Sequence, residues 1–554
     1  SIEVIRGPAS ARYGSNAMHG VINVVSKPLE DINTISSNIG PNGYTNFKSS
    51  IGNSDDWRIN SFFSTDDGFR EESGYHQQKL QIKNRFNLYN SDAIFNLRLT
   101  NLNQETAGYI SGKDVYKDRR QSKENLNPEA YRDAFSLKSS LKFSLDPKDK
   151  IVSFIPYFRK TKMEFLQHYL PGTPVEKNSH SSLGFIGLHS GISKNIEITS
   201  GIQVEIAKVE LEELQEFALT TSSAFNNAVR PQGFHYFYEV DSRLIALFVG
   251  FNDFSLTENS FLFGDLRLEH NEYSYKNKML SGNTRDDGTV CGFGGCYYSR
   301  PEDREDNFEE VSFRLGIERE LDFLTLFSQV SMGFRPPQMT ELYRLQKKQI
   351  VGDIDSEKLV MLEIGSRFSA EYFEGSLSLY SGKKRDSIFR DAENFIQDHG
   401  KTNHKGLELF VRLEINETNS LFLAGTFQNH KYDFSSETSM KEKINSGNYV
   451  DTSPRTSFNL RWVNLFSDNM KYEIEVERMG SYYTDAANLH KYEGHTLIHS
   501  RFVYFYRDKL TQFIRVHNLL DEDYAERADF NAFGGDRYFP GLPRQVYFGL
   551  EYTF

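Results

Sequence analysis

Long apolar runs are missing from this sequence of 554 residues. No stretch of about 18 consecutive apolar residues occurs, so the chain has no helix that could span a membrane. A membrane β-barrel is not excluded by this, because its strands need apolar residues only at alternate positions. An excess of positive charge is missing as well. The formal net charge of −12 argues against a nucleic-acid partner, which would require a basic surface.

Enzymatic motifs are also missing. The sequence has no Gly-x-Ser-x-Gly nucleophile elbow and no His-Glu-x-x-His zinc motif. The segment 108–113 comes one residue short of a phosphate-binding loop and lies in a polar stretch, so we discard it. The 14 histidines are scattered along the chain. We therefore predict that the protein is not an enzyme and has neither a cofactor nor a metal site.

Cysteine is scarce, since Cys291 and Cys296 are the only two. Both fall in the long polar stretch 276–304, where a small disulfide would stiffen an external loop. Such a bond suits an oxidising compartment of the cell envelope. A metal site built from the two thiolates is the alternative, but no further Cys and no nearby His completes it.

A signal peptide is missing from the start of the chain. Residues 1–5 contain neither a basic region nor an apolar one. We expect that processing or truncation has removed the true start, and we favour truncation.

Aromatic residues, in contrast, are abundant. Phe and Tyr number 45 and 30, yet only 38% of residues are hydrophobic and the mean hydropathy is −0.56. Many residues of this chain favour strands, but the chain is polar on average. Few of its strands can therefore be buried in an apolar core on both faces. A large membrane barrel has this property, because one face of its wall meets lipid and the other meets water.

Apolar and polar residues alternate along most of the chain after residue 30. Within 134–145 one face is mostly apolar and the other carries Ser and Lys, and the final segment 546–554 shows the same period. This period predicts β-strands with one apolar face. Alternation alone does not distinguish a soluble sandwich from a barrel in lipid, in which the apolar face is outside.

The lengths of the connections between strands do distinguish a soluble sandwich from a membrane barrel. We predict short turns at 53–56, 90–92, 146–149, 192–195, 251–258, 319–322, 371–374, 416–419, 465–469 and 507–509. Longer polar stretches lie between them, such as 103–130, 163–181, 211–236, 276–304, 335–356, 433–451 and 519–543. Ten turns that alternate with eleven loops separate 22 strands, so residues 31–554 are predicted to form an all-β, 22-stranded antiparallel transmembrane barrel. The lumen of such a barrel is too wide for its own side chains to fill, so a plug is expected.

Several motifs resemble those of TonB-dependent outer-membrane receptors. The matching segments are 1–14, which contains Ile-Glu-Val-Ile-Arg-Gly-Pro-Ala-Ser-Ala-Arg-Tyr-Gly, then 18–28, 333–337, 341–343, 518–524 and 540–544, with the terminal aromatic Phe554. The resemblance implies that residues 1–30 are the C-terminal end of a plug domain and that most of the plug is missing. It further implies a place in the outer membrane of a Gram-negative bacterium, contact with outer-membrane lipid, TonB as partner through an N-terminal segment, and Phe554 as an assembly signal.

The same resemblance implies active uptake of a scarce small molecule. A ferric siderophore or related metal chelate is the expected ligand, and haem, cobalamin and carbohydrate remain alternatives. From a different class, a passive porin-like channel is also possible, although the plug-like segment argues against it.

Polar contacts between plug and barrel are expected to hold the plug and yet let it yield. Alternation turns Glu363 and Glu408 inward, and the family pairs plug arginines with such glutamates. We therefore predict contacts among Glu3, Arg6, Arg12, Glu363 and Glu408, with Arg6 meeting both wall glutamates. The alternative is that these glutamates only line a wet lumen. Gly7, Pro8, Tyr13 and Gly14 are predicted to shape the turns of the plug.

Ligand-binding residues are harder to predict. An apolar and aromatic stretch that we place in an external loop offers Phe165, His168 and Tyr169. Arg335 and Arg344 flank another loop and would suit an anionic metal chelate. The alternative is that the aromatic residues pack on neighbouring loops and that both arginines are solvated.

Overall fold

The barrel is a closed ring of antiparallel strands. The computed structural model describes residues 2–88, 91–145, 150–193, 195–346, 348–349, 351–391, 395–438, 442–507, 509–532 and 534–554. Within these residues 22 strands form the ring, and the first strand pairs with the last, which places Thr34 opposite Thr553. The predicted fold class is confirmed.

The strands of the barrel are numbered here in chain order. They are β1 Thr34–Ile39, β2 Thr45–Gly52, β3 Trp57–Asp66, β4 Tyr75–Leu88, β5 Ser91–Glu105, β6 Tyr131–Leu145, β7 Lys150–Leu166, β8 Val175–Ser193, β9 Ile196–Gln215, β10 Gly233–Thr257, β11 Ser260–Asn277, β12 Arg304–Leu321, β13 Leu324–Arg335, β14 Glu357–Ala370, β15 Phe373–Arg390, β16 Ile396–Asn416, β17 Asn419–Tyr432, β18 Thr456–Ser467, β19 Met470–Met479, β20 His495–Tyr506, β21 Leu510–His517 and β22 Gln545–Thr553.

Short and long connections lie at opposite ends of the barrel. The end with connections such as 53–56, 322–323 and 371–372 is called the turn end, and the opposite end is called the loop end. The predicted loop 163–181 is mostly strand, because β7 and β8 remain paired as far as Leu166 and Val175. The predicted turn 251–258 is also mostly strand, since β10 continues to Thr257 through two register shifts. The predicted turn 146–149 lies outside the described residues.

The wall has an apolar outside and a polar inside. On β11, Leu266 and Leu268 are 43% and 48% exposed, whereas Arg267 and Glu269 between them are 2% and 4% exposed. A soluble protein would show the reverse, so this pattern fits a wall whose outer face meets lipid. No helix among the described residues is long and apolar enough to cross a membrane.

The buried apolar core lies at the loop end, in the loops and in the strand ends that lead into them. One cluster is aromatic and includes Tyr236, Tyr238, Tyr275, Tyr298 and Tyr343. A second cluster contains Ile110, Tyr116, Tyr482, Tyr492 and Tyr538. The remaining helices, turns and strands of the described chain are short and lie outside the 22 barrel strands. They are helices Ser10–Tyr13, Ala224–Val229 and Met339–Tyr343, 3₁₀ turns Val115–Lys117 and Gln121–Lys123, and strands Ile2–Arg6, Gly20–Val24, Ile110–Ser111, Tyr298–Ser299, Leu345–Gln346, Ser436–Glu437, Lys443–Ile444, Tyr482–Tyr483, Lys491–Tyr492, Ala525–Asn531 and Gly535–Pro540.

Candidate functional site: the N-terminal segment in the bore

Residues 2–33, called here the N-terminal segment, lie against the inner face of the barrel wall. Strands Ile2–Arg6 and Gly20–Val24 form an antiparallel hairpin. The helix Ser10–Tyr13, which lies between these two strands in the sequence, contacts strands β10 to β13. The wall residues that this segment meets, such as Arg267 and Glu408, occupy inward positions of the alternating pattern. The segment therefore occupies the bore.

Two glycines set the path of the segment. Gly7 follows the first strand with φ +72°, and Gly14 follows the helix with φ +86°. Both values lie in the left-handed region, which a residue with a Cβ atom rarely adopts. Pro8 is buried, and its ring fixes the backbone directly after the Gly7 turn. Tyr13 is 43% exposed, so it contributes less to packing than its neighbours.

Within the described residues, two ion pairs join the segment to the wall: Arg6 with Glu408, and Glu30 with the buried Arg58 of β3 at 3.7 Å. Arg6 Nη1 lies 2.8 Å from Glu408 Oε2 on β16. The two side chains are 47% and 20% exposed, so water reaches the pair. Exposed pairs of this kind contribute about 0–1 kcal/mol, because solvent screens the charges. The pair therefore orients the segment without anchoring it strongly.

The other residues expected at this contact have different surroundings. Glu363 accepts a hydrogen bond of 2.7 Å from Gln329 on the neighbouring strand β13. Glu3 accepts one of 2.8 Å from Asn23 across its own hairpin. Arg12 is exposed. Of the five residues expected to join segment and wall, the described part of the structure brings together Arg6 and Glu408.

A stronger attachment involves the backbone of Phe334, which sequence reasoning missed. The Phe334 nitrogen donates to Ser10 Oγ at 3.3 Å, and the Asn16 nitrogen donates to the Phe334 carbonyl at 3.2 Å. Ser10 and Phe334 are both fully buried. Breaking the buried Ser10–Phe334 bond leaves polar groups without water, at a cost of about 1–3 kcal/mol. This contact therefore anchors the helix of the segment to the end of β13.

Gly333 makes that close approach possible. A Cβ atom at this position would lie 3.0 Å from Met18 Cα and from Ser10 Oγ, and 3.2 Å from Pro8 Cβ. Real side chains rarely tolerate such contacts, and the closest one is to backbone. The wall carries glycine where the segment touches it.

A buried charged array lies beneath Gly14. Arg267 Nε donates to Glu269 Oε2 at 2.7 Å, and Arg267 Nη2 donates to Gln203 Oε1 at 2.9 Å. The charged side chains are 2% and 0% exposed. A Cβ atom on Gly14 would lie 3.3 Å from Arg267 Nη2, so the segment rests directly on the guanidinium group. The segment thus helps to keep this array away from water.

Arg335, a candidate ligand residue, is already paired. Its guanidinium donates to both oxygens of Glu341 at 2.9 and 3.1 Å and to Glu357 at 2.6 Å. Two carboxylates therefore compensate its charge. This pairing arises because strand β13 places Arg335 opposite Glu357, the first residue of β14, and the role of Arg335 in ligand binding stays a prediction.

Arg344 is held in the same way. It donates to Glu176 at 2.7 Å and also pairs with Glu213, and both glutamates are buried. Burial works against the charge of Arg344, but the two carboxylates outweigh it and raise the pKa above its ordinary value. These pairs tie the loop 336–356 to strands β8 and β9, so Arg344 holds the loop in place.

The aromatic candidates are divided between strand and loop. Phe165 belongs to strand β7, where the guanidinium of Arg132 lies 5.7 Å from its ring centre. His168 and Tyr169 belong to the loop 167–174, and their rings are 5.7 Å apart. Tyr169 is 56% exposed at the loop end. Of the three, Tyr169 is the one that presents most of its surface to an incoming ligand.

The remaining candidates are the two cysteines and the last residue of the chain. Cys291 and Cys296 form a disulfide in the loop 278–303, and both are buried against the aromatic core. Phe554 is 50% exposed, and its nitrogen donates to the Asn33 carbonyl at 3.0 Å. Among the residues that the structure describes, no group of three or more His, Cys, Asp or Glu side chains is arranged to hold a metal ion.

The sequence places this barrel in a known family. Residues 27–519 match the family described as TonB dependent receptor-like, beta-barrel. This match covers most of the chain, so the protein belongs to the TonB-dependent receptors. It is accordingly a β-barrel of the Gram-negative outer membrane, and its family consists of receptors and transporters.

Solved structures with the same fold include receptors for iron chelates. The ferric-catecholate import receptor Fiu of E. coli K12 in its closed form has a TM-score of 0.80 and 16% identity, with coverage of 100% of this chain and 86% of Fiu. The ferric yersiniabactin uptake receptor FyuA of Yersinia pestis has a TM-score of 0.79 and 14% identity, with coverage of 100% and 85%. The unliganded ferric citrate transporter FecA has a TM-score of 0.79 and 16% identity, with coverage of 100% and 83%.

Proposed function

We propose that this receptor imports a ferric siderophore or a related metal chelate across the outer membrane, with energy supplied through TonB. The observation that carries the proposal is the N-terminal segment attached inside the bore through Phe334 and Glu408. A segment in that place obstructs free diffusion. Import would then require a movement of the segment, and hence a source of energy.

The contacts of the segment suit a gate that has to be released. The Arg6–Glu408 pair is open to water and easily exchanged. Within the described residues, two hydrogen bonds attach the segment to the Phe334 backbone, one to Ser10 of the short helix and one from Asn16 after it. We infer that a pull from the turn end would break a small number of contacts in sequence, while the barrel itself stays intact.

We further propose that residues 1–30 are the last part of a plug domain. The hairpin exposes the apolar side chains of Ile2, Val4, Ile22 and Val24, each by more than 60%. Such a surface is unusual in the aqueous bore and suits packing against the remainder of a plug. The family-like motif in residues 1–14 supports the same assignment.

Iron chelates are the favoured ligands because Fiu, FyuA and FecA carry them and share this fold. Haem, cobalamin and carbohydrate remain alternative cargoes. Tyr169 is the ligand contact that we favour, because it is exposed at the loop end.

Growth under iron limitation tests the proposal. The gene is deleted in its host, and growth is measured on a panel of ferric catecholates, ferric citrate, haem and cobalamin. We expect loss of growth on one ferric chelate, and an equal loss when TonB is deleted instead. Growth on every compound irrespective of both deletions would overturn the proposal. Uptake that needs the receptor but not TonB would favour a passive channel.

A further inference from the structure

Three lysines line the outer wall of strands β15, β16 and β17 near the loop end. The strand register places Lys383 opposite Asn403, which lies opposite Lys431. Two residues further along β16, towards the turn end, Lys405 lies between Ser381 of β15 and Asn429 of β17. Residues two apart on a strand share a face, so all three lysines point away from the bore.

An apolar row lies directly below these lysines on the same face. Leu379, Leu407 and Phe427 are aligned across the three strands. Leu379 and Phe427 are 55% and 59% exposed, as expected for side chains in hydrocarbon. The lysines therefore lie where the apolar part of the membrane gives way to its headgroups. Long loops of outer-membrane barrels face the cell exterior, so this is the outer leaflet.

The lysines form one side of a cleft. Ser446 and Gly447 of the loop 433–455 lie on the other side, and the cleft has a volume of about 480 Å³. Its lining contains three lysines and a single carboxylate, Asp433. Within the described part of the chain, Lys383 and Lys405 form no ion pair, and Lys431 Nζ lies 4.9 Å from the ring centre of Tyr449.

The opposite side of the barrel provides a contrast. Another cleft, on the outer wall of β6 to β9, also contains lysines but has more carboxylates than lysines. In that cleft Lys177 lies 3.4 Å from Glu164, and Glu210 of the lining lies 3.4 Å from Lys208, which is outside the lining. Positive charge on that wall is neutralised locally. The uncompensated lysines on β15 to β17 are thus a local feature of a chain with a net charge of −12.

We propose that this cleft binds the phosphate groups of a phosphorylated glycolipid of the outer leaflet. The three ammonium groups would contact the headgroup phosphates, and the serine and asparagine side chains would donate to sugar or phosphate oxygens. The acyl chains would continue along Leu379, Leu407 and Phe427. Basic clusters beside an apolar membrane surface attract anionic headgroups.

Native mass spectrometry of the whole chain in detergent tests this site. The probe is bisphosphorylated lipid A, titrated into the wild type and into the triple variant Lys383→Gln, Lys405→Gln, Lys431→Gln. We expect the triple variant to bind at least about tenfold more weakly, given three lysines near the headgroup. All three side chains lie on the outside of the wall, so the barrel should fold, which circular dichroism checks.

The matched control removes the same charge from the paired lysines. The variant Lys177→Gln, Lys208→Gln, Lys278→Gln should bind lipid A as the wild type does, because each of these lysines already has a glutamate partner. Dephosphorylated lipid A should bind poorly to the wild type. Equal weakening in both triple variants would overturn the site. So would equal binding of both lipids, or binding of inorganic phosphate as tightly as lipid A.

Discussion

Ser10 Oγ lies 3.3 Å from the backbone nitrogen of Phe334, and both residues are fully buried. This bond joins two motifs that stand 324 residues apart in the chain. The first belongs to the segment in the bore, and the second closes strand β13. The helix Ser10–Tyr13 of the segment is therefore held where the wall allows a close approach, at Gly333 and Phe334.

The substitution Gly333→Val should detach the helix of the segment. Its side chain would meet Met18 and Ser10 at distances that neither can accommodate without moving. Overpacking of this kind costs about 1–3 kcal/mol. Hydrogen exchange measured in detergent should show the Asn16 amide exchanging about tenfold faster or more, since about 1.4 kcal/mol corresponds to a factor of ten.

A suitable control for that variant is Gly425→Val on β17. A Cβ atom there meets its nearest neighbours at 3.7 and 3.8 Å, which is ordinary contact. Exchange at Asn16 should then remain as in the wild type. If Gly333→Val also left Asn16 protected, the attachment described here would be wrong.

Loss of the Arg344 charge should loosen the loop 336–356. The variant Arg344→Met leaves Glu176 and Glu213 close together and buried without the guanidinium group that pairs with both. Removing one partner of a buried pair costs about 3–5 kcal/mol, because the remaining charge is uncompensated. Limited proteolysis should cut this loop at least about tenfold faster than in the wild type.

The exposed pair Arg367–Glu318 offers the comparison for Arg344. Its side chains are 53% and 29% exposed, so Arg367→Met should cost no more than about 1 kcal/mol and leave the loop resistant. Equal sensitivity of both variants would show that the network around Arg344 does not hold the loop.

Reduction of the disulfide should act locally. The bond joins residues five positions apart, so it restrains only a small loop and contributes about 2 kcal/mol. Treatment with dithiothreitol, or Cys291→Ser with Cys296→Ser, should speed proteolysis within 278–303. The unfolding temperature of the barrel should stay unchanged. A large fall in that temperature would mean that the aromatic core beside the disulfide supports the wall.

The barrel could be predicted because its signals are local. Alternation along each strand and polar turn residues determine the strand number and tell which side chains point inward. The contact between Arg6 and Glu408 was predicted on this basis together with family resemblance. The extent of individual strands was less predictable, since β7 and β8 continue into a stretch that reads as polar loop.

The partners of Arg335 and Arg344 could not be predicted. Glu176 and Glu213 come from strands 168 and 131 residues away, and their height relative to Arg344 depends on the stagger of every strand between them. The attachment at Phe334 could not be predicted either, because the wall contributes backbone atoms, which leave no pattern of residue types in the sequence. The sequence shows the charge of Arg335 and Arg344, which suits ligand binding. It does not show that each of them pairs with two carboxylates in the folded chain.

Cross-linking the segment to the wall tests the central claim most directly. In cysteine variants that replace Arg6 and Glu408, a short cleavable bis-maleimide would join the two positions, whose side-chain tips lie 2.8 Å apart in the wild type. Uptake of the radiolabelled ferric chelate that supports growth is then measured in whole cells. We predict that uptake stops after cross-linking and returns when the linker is cleaved. Undiminished uptake through a fully cross-linked receptor would contradict a gate formed by this segment.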